Sequence, residues 1–171
     1  MKLSRTLLTL GLASAVMQTV AQSDLPFDAP DFSIIQETDY LPAIEAAIKQ
    51  RRAEIKLIVD NKEKPTFENT ILAFEQSGVN LDRVTNVFFG LTSAHKTPVI
   101  GETEKKVMPL LTELENEINF SQSFFNRVKY VYDHEYFQLK GEDQRLLEVV
   151  YKAFVRSGSE SCGCSSGSPI R

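Results

Sequence analysis

From Thr97 to Ile118 the sequence reads Thr-Pro-Val-Ile-Gly-Glu-Thr-Glu-Lys-Lys-Val-Met-Pro-Leu-Leu-Thr-Glu-Leu-Glu-Asn-Glu-Ile, and this stretch decides the fold class. Thr97 followed by Pro98 is a helix start, with a hydroxyl cap and then a proline at the first helical position, where the missing N–H costs nothing. Behind it Val107, Leu110, Leu111, Leu114 and Ile118 share one face, while Glu104, Lys105, Glu113 and Glu117 fall elsewhere. Apolar residues at three- and four-residue spacing predict an amphipathic helix.

The same period recurs on both sides. Upstream, Leu81, Val84, Phe88 and Leu91 make one stripe, widened by Val87. Before it, Thr66 caps a helix carrying Phe67, Ile71 and Phe74 that stops at Gly78. The first stripe is Leu41, Ile44, Ile48, Ile55 and Ile58, opened by Thr38 or Asp39 with Pro42 in its first turn and closed by Asp60-Asn61 and Pro65. Downstream, Ser121 or Ser123 caps a helix with Phe125, Val128 and Tyr132 in register, and Gly141 separates a last one with Leu146, Leu147, Val150 and Phe154. No segment alternates apolar and polar residues at a period of two, so residues 38–158 are predicted to be all-α, antiparallel helices joined by short turns.

Both flanks differ from this body. Lys2 and Arg5 precede an uncharged run from Thr6 to Met17, and Thr19-Val20-Ala21 supplies the small residues that a signal peptidase needs. Residues 1–21 are therefore expected to be a cleaved signal peptide, placing the protein in the periplasm or outside the cell without stable membrane association. The apolar run is too short for a span of about 20 residues. The Pro- and Asp-rich residues 22–37 are expected to form an extended lead-in. Residues 159–171 hold both cysteines, Cys162 and Cys164, among serines and glycines, a composition expected to be disordered. An out-of-phase reading frame beyond about Gly158 is the expected origin of that break. The body is cysteine-free, so no disulfide framework is predicted for it.

The formal net charge is −4, and loss of Lys2 and Arg5 with the signal peptide makes it −6. Such a balance argues against nucleic acid and against an anionic membrane surface as partners.

Four stretches carry a resemblance to a known family. They are Pro26-Phe27-Asp28 through Tyr40-Leu41-Pro42-Ala43, Pro65-Thr66-Phe67-Glu68-Asn69-Thr70-Ile71, Leu81-Asp82-Arg83-Val84 through Phe88-Phe89-Gly90-Leu91-Thr92-Ser93-Ala94, and Phe154-Val155-Arg156-Ser157-Gly158. In order and approximate spacing they resemble the start of the peptidyl-dipeptidase and oligopeptidase A family of zinc metallopeptidases, relatives of thimet oligopeptidase and neurolysin. The resemblance implies the N-terminal helical region of the neurolysin-like fold, one wall of a channel that admits short peptides. It also implies a Zn²⁺ cofactor held far downstream by an H-E-x-x-H helix and a later glutamate, with the intervening glutamate as general base. An exported member most resembles the bacterial peptidyl-dipeptidases, which release dipeptides from the C-terminal ends of short peptides.

This chain holds two histidines, His95 and His134, 39 positions apart, so two zinc ligands one helical turn apart are excluded within it. The run His134-Glu135-Tyr136-Phe137-Gln138 begins like the motif but places a neutral amide where the second imidazole belongs. His134 is expected to be half-exposed late in the fifth helix, and His95 to close the third, where a cation favours the helix dipole. Glu68, Glu75, Asp82 and Glu102 read as caps and solvated faces. Of Phe88 and Phe89, adjacent on the chain, one is expected to leave the main stripe, with packing into the core as the expectation and packing on the rest of the enzyme or facing the channel as the alternative. Cys162-Gly163-Cys164 is a single CxC without a neighbouring ligand. No catalytic residue or metal ligand is predicted in this chain, the sequence leaves its substrate-binding residues unassigned, and no zinc is expected to bind it.

The expected function is that of an N-terminal piece of an exported zinc peptidase, supplying channel-wall helices whose natural packing partner is the missing catalytic domain. The rival expectation is a complete secreted helical binding or inhibitory module.

Overall fold

The computed structural model describes residues 34–158; the predicted signal peptide, most of the lead-in and the Cys162–Cys164 tail lie outside the described residues. Every described element lies within residues 36–158. Those elements are helical throughout, and among the described residues there is no strand.

Helix α1 spans Tyr40–Asp60 and follows a 3₁₀ turn at Glu37–Asp39. Glu37, assigned to the extended lead-in by composition, sits in that turn because the Gln36 N–H donates to the Asp39 carboxylate at 3.0 Å and closes it. Neither Thr38 nor Asp39 caps α1 through its side chain; Asp39 serves the 3₁₀ turn instead. A π-helical segment, Phe67–Leu72, runs directly into α2, Ala73–Gln76. The predicted Thr66 cap is present, with its hydroxyl accepting from the Asn69 N–H at 3.2 Å. Gly78 then turns the chain at φ +80°, where an added Cβ would lie 2.5 Å from Arg51 Nη1. This is a site for glycine on both conformational and steric grounds.

Helix α3 spans Val79–Ala94, α4 Pro98–Asn119, α5 Gln122–Glu135 and α6 Gly141–Arg156. The caps expected at Thr97 and Ser121 both form, through the Ile100 and Phe124 N–H groups. Helix α4 continues through Pro109, whose ring lies on the exposed side and whose missing N–H removes one helical hydrogen bond.

Sequence neighbours run antiparallel. Tyr40 meets Phe88 at 5.5 Å between ring centroids, and Asn80 Nδ2 donates to Gln50 Oε1 at 3.0 Å, so α3 runs back along α1. Phe125 and Phe154 lie together near the start of α5 and the end of α6. Helix α4 runs in the same direction as α1, because Glu37 pairs with Thr97 at one end and Arg52 with Glu117 at the other. Helix α1 is therefore the shared support. Its first half packs on α3 and α4, and Ile55 and Ile58 near its end join a core with Phe67, Ile71, Phe124, Phe125, Val128, Val131, Leu147, Val150 and Phe154. The rings of Phe124 and Phe154 meet edge-on at 5.2 Å, an arrangement aromatic pairs favour.

Candidate functional site

The run Pro65-Thr66-Phe67-Glu68-Asn69-Thr70 is the most distinctive in the chain, and the structure shows what its polar residues do. Asn69 Oδ1 accepts from the Thr66 N–H at 2.9 Å, the Thr70 hydroxyl at 2.9 Å and Arg127 Nη2 at 3.1 Å. The Asn69 amide donates to the Lys64 carbonyl at 2.9 Å. Arg127 comes from α5, is only 8% exposed, and also donates from Nη1 to the carbonyls of Asn61 and Glu63 at 2.8 and 3.4 Å. Burial lowers its pKa from the usual guanidinium value, though an arginine this far above neutrality stays charged. The Phe67 N–H is taken by Glu135 Oε2 at 2.8 Å, which puts a carboxylate at the helix start, where the dipole favours it. The run is thus a buried joint tying the loop after α1 to the π segment and to α5.

A second joint lies on the other side of α2. Arg51 reaches from α1 to donate to the Phe74 carbonyl at 3.3 Å and to the Ser77 hydroxyl, and its guanidinium sits 4.9 Å from the centre of the Phe74 ring. Glu54 Oε2 accepts from the Gly78 N–H at 2.7 Å. Burial lowers the Arg51 pKa, opposed by Asp82, Glu54 and Glu75.

The histidines do not converge on a site. His134 is exposed on α5, with its ring stacked on Tyr130 at 4.0 Å and Nδ1 2.8 Å from the Tyr130 carbonyl. Glu135, the next residue, turns inward to the Phe67 N–H, and Gln138 donates to the His134 carbonyl at 2.8 Å. The run that begins like a zinc motif therefore points its groups apart. His95 is exposed at the C-terminal end of α3, where its N–H donates to the Leu91 carbonyl at 2.7 Å. Among the described residues no three His, Cys, Asp or Glu side chains group as a metal site. These residues do not fit a zinc ion, and no catalytic step is assigned to them. Glu68, Glu75 and Asp82 are exposed, and Glu102 pairs with Lys105 at 2.7 Å on the surface. Phe88 is fully buried, whereas Phe89 is half-buried and meets it edge-on at 5.3 Å, so the adjacent pair divides as expected.

Sequence reasoning passed over Asn69, Arg127 and Arg51. A cation at position 127 among Phe124, Phe125 and Val128 was the available signal, since an arginine beside buried positions needs acceptors.

An open cleft of about 300 Å³ lies along α1 and α4. It is floored by Ile55, Val59, Leu114 and Ile118 and rimmed by Arg52, Lys56, Asp60, Glu117 and Ser121. The rim charges are already paired, Arg52 with Glu117 at 2.7 Å and Lys56 with Asp60 at 2.5 Å.

No family model matches the chain. It is 41% identical over 142 residues to the dipeptidyl carboxypeptidase of Escherichia coli, covering 82% of this chain and 21% of that protein. Against the dipeptidyl carboxypeptidase of Salmonella typhimurium it is 38% identical over 140 residues, 81% of this chain and 21% of the relative. Against the oligopeptidase A of Escherichia coli the identity is 22% over 134 residues, 78% and 20% of the two lengths. The chain spans about a fifth of the length of the curated relatives it matches. The resemblance read from the sequence stands, and it is nearer to dipeptidyl carboxypeptidases than to oligopeptidase A.

Proposed function

From its similarity to dipeptidyl carboxypeptidases, we propose that this chain is the N-terminal helical part of an exported zinc peptidase of the peptidyl-dipeptidase type. The complete enzyme would release dipeptides from the C-terminal ends of short peptides outside the cytoplasm. On this reading the chain supplies channel-wall helices that exclude folded proteins, and the zinc and the general base belong to the part of the enzyme it does not include. The observation that carries the reading is the 41% identity to a dipeptidyl carboxypeptidase, against 22% to an oligopeptidase A. The internal polar groups support it. Arg127, Asn69, Arg51 and Glu135 are spent on joints between helices, as suits a rigid wall.

The test is a chimaera in which residues 26–158 of this chain replace the matched segment of the Escherichia coli dipeptidyl carboxypeptidase. Loaded with zinc, it is expected to release the C-terminal dipeptide from an N-blocked tripeptide, while the isolated 171-residue chain releases none. A folded, zinc-loaded chimaera without dipeptide release counts against the reading.

A further inference from the structure

The junction between α4 and α5 carries a motif that the peptidase reading does not use. Asn119 closes α4, Phe120 follows it, and Ser121 caps α5. Asn-Phe-Ser has the form of the signal for attaching a glycan to asparagine in a secreted protein, in which a hydroxyl stands two places after the acceptor. None of the other asparagines in the sequence is followed two places on by serine or threonine. Glu117 stands two places before Asn119, so the run Glu117-Ile118-Asn119-Phe120-Ser121 also holds the acidic residue that bacterial oligosaccharyltransferases read.

The place in the fold suits a bulky polar addition. Asn119 is half-exposed and Phe120 is 65% exposed, while Ile118 and Ser121 line the open cleft between α1 and α4. The residues of the signal are all engaged once the chain has folded. Glu117 pairs with Arg52 at 2.7 Å, the Ser121 hydroxyl accepts from the Phe124 N–H at 3.4 Å, and Asn119 has a partner of its own. Transfer therefore belongs to the emerging chain, before these bonds form.

We propose that Asn119 is an N-glycosylation site. The donor is a lipid-pyrophosphate-linked oligosaccharide. Asn119 Nδ2 bonds to C1 of the first sugar as the bond from C1 to the pyrophosphate oxygen breaks. The lipid pyrophosphate leaves with the electron pair of that bond, and the amide nitrogen gives up one proton. The glycan then covers Phe120 and the end of the cleft, where exposed apolar surface favours association, and raises solubility there. The inference rests on the proposed export, and it puts this end of α4 on the solvent side of the complete enzyme.

The experiment expresses the full chain in a bacterial host supplied with an oligosaccharyltransferase and that donor. One version keeps its own residues 1–21, and a second carries an established export signal in their place. Mass spectrometry of the intact chain and of the peptide bearing Asn119 reads signal removal and glycan together. Both versions are expected to gain one glycan, at Asn119, and none when the transferase is withheld. Asn119→Gln and Ser121→Ala should each abolish the gain, whereas Ser121→Thr, which keeps a hydroxyl and a helix cap, should retain it. A bare Asn119 in chain whose signal has been removed, a glycan attached elsewhere, or a Ser121→Ala chain still modified would each overturn the proposal. If the second version is modified while the first keeps its residues 1–21 and stays bare, the export reading alone fails. If both lose their signals and neither is modified, the glycan site alone fails.

Discussion

Arg127 Nη2 lies 3.1 Å from Asn69 Oδ1, joining the middle of α5 to the first turn of the π segment across 58 positions of sequence. The same oxygen also serves the Thr66 N–H and the Thr70 hydroxyl, so one side chain closes a helix start and receives a buried cation. Hydrogen bonds to a charged group are worth about 1.5–3 kcal/mol, and an orphaned buried donor costs more than a missing pair. Asn69→Ala is therefore expected to destabilise the fold by about 3 kcal/mol in urea unfolding. Combined with Arg127→Met, it should show a coupling of about 1–3 kcal/mol. Additive losses would mean that the pair does not act as a unit.

Gly78 offers a test of backbone and packing together. At φ +80°, with Arg51 atoms within 3 Å of the built Cβ, Gly78→Ala should cost more than the ~1 kcal/mol typical of a left-handed position alone. The Gly158→Ala change has the same sign of φ but open space around it, so its cost should be smaller. Thermal unfolding of the two variants side by side gives the comparison.

The helix pattern was legible because each apolar stripe meets another. Ile44, Ile48, Ile55 and Ile58 on α1, Phe88 on α3, Val107 and Leu114 on α4, and Leu147, Val150 and Phe154 on α6 are buried as their spacing implied. The caps at Thr66, Thr97 and Ser121 were legible for a local reason, since each bonds an N–H three positions on. In α5 the stripe was read one edge away from its centre. Phe124 and Val131 are fully buried, while Tyr132 is only half-buried. The π-helical form of Phe67–Leu72 and the roles of Asn69, Arg127 and Glu135 were not legible. The bonds that Arg127 and Glu135 make reach partners about 60 or more positions away, which no local period encodes.

The histidines should prove dispensable for stability. His95 and His134 are both exposed, and substitutions at such surface positions usually stay within about 0.5 kcal/mol. His95→Ala and His134→Ala are expected to leave the thermal midpoint almost unchanged. By contrast Phe154→Ala, at 2% exposure in the aromatic centre of the core, should cost about 3–5 kcal/mol.

Acid should weaken the fold through its surface carboxylates. The hydrogen bond from Arg52 holds the Glu117 pKa below its ordinary value, and those from Lys152 and Arg145 do the same for Glu148. A carboxyl with a lowered folded-state pKa adds stability above its unfolded pKa and loses that contribution as the pH falls through the folded one. Stability is therefore expected to decline below the ordinary carboxylate range, near pH 4.5 for a glutamate. Glu117→Gln should flatten the decline while costing only about 0.5 kcal/mol at neutral pH, because the pair is solvent-screened.

The central proposal is that this helical unit is part of a peptidyl-dipeptidase, and the chimaera carrying residues 26–158 of this chain tests it most directly. The measurement is the rate of dipeptide release from an N-blocked tripeptide by the zinc-loaded chimaera, with circular dichroism establishing that it is folded. The account predicts release that is abolished by chelating the zinc and restored by returning it, with none from the 171-residue chain alone. A folded chimaera that binds zinc and leaves the peptide intact would contradict it.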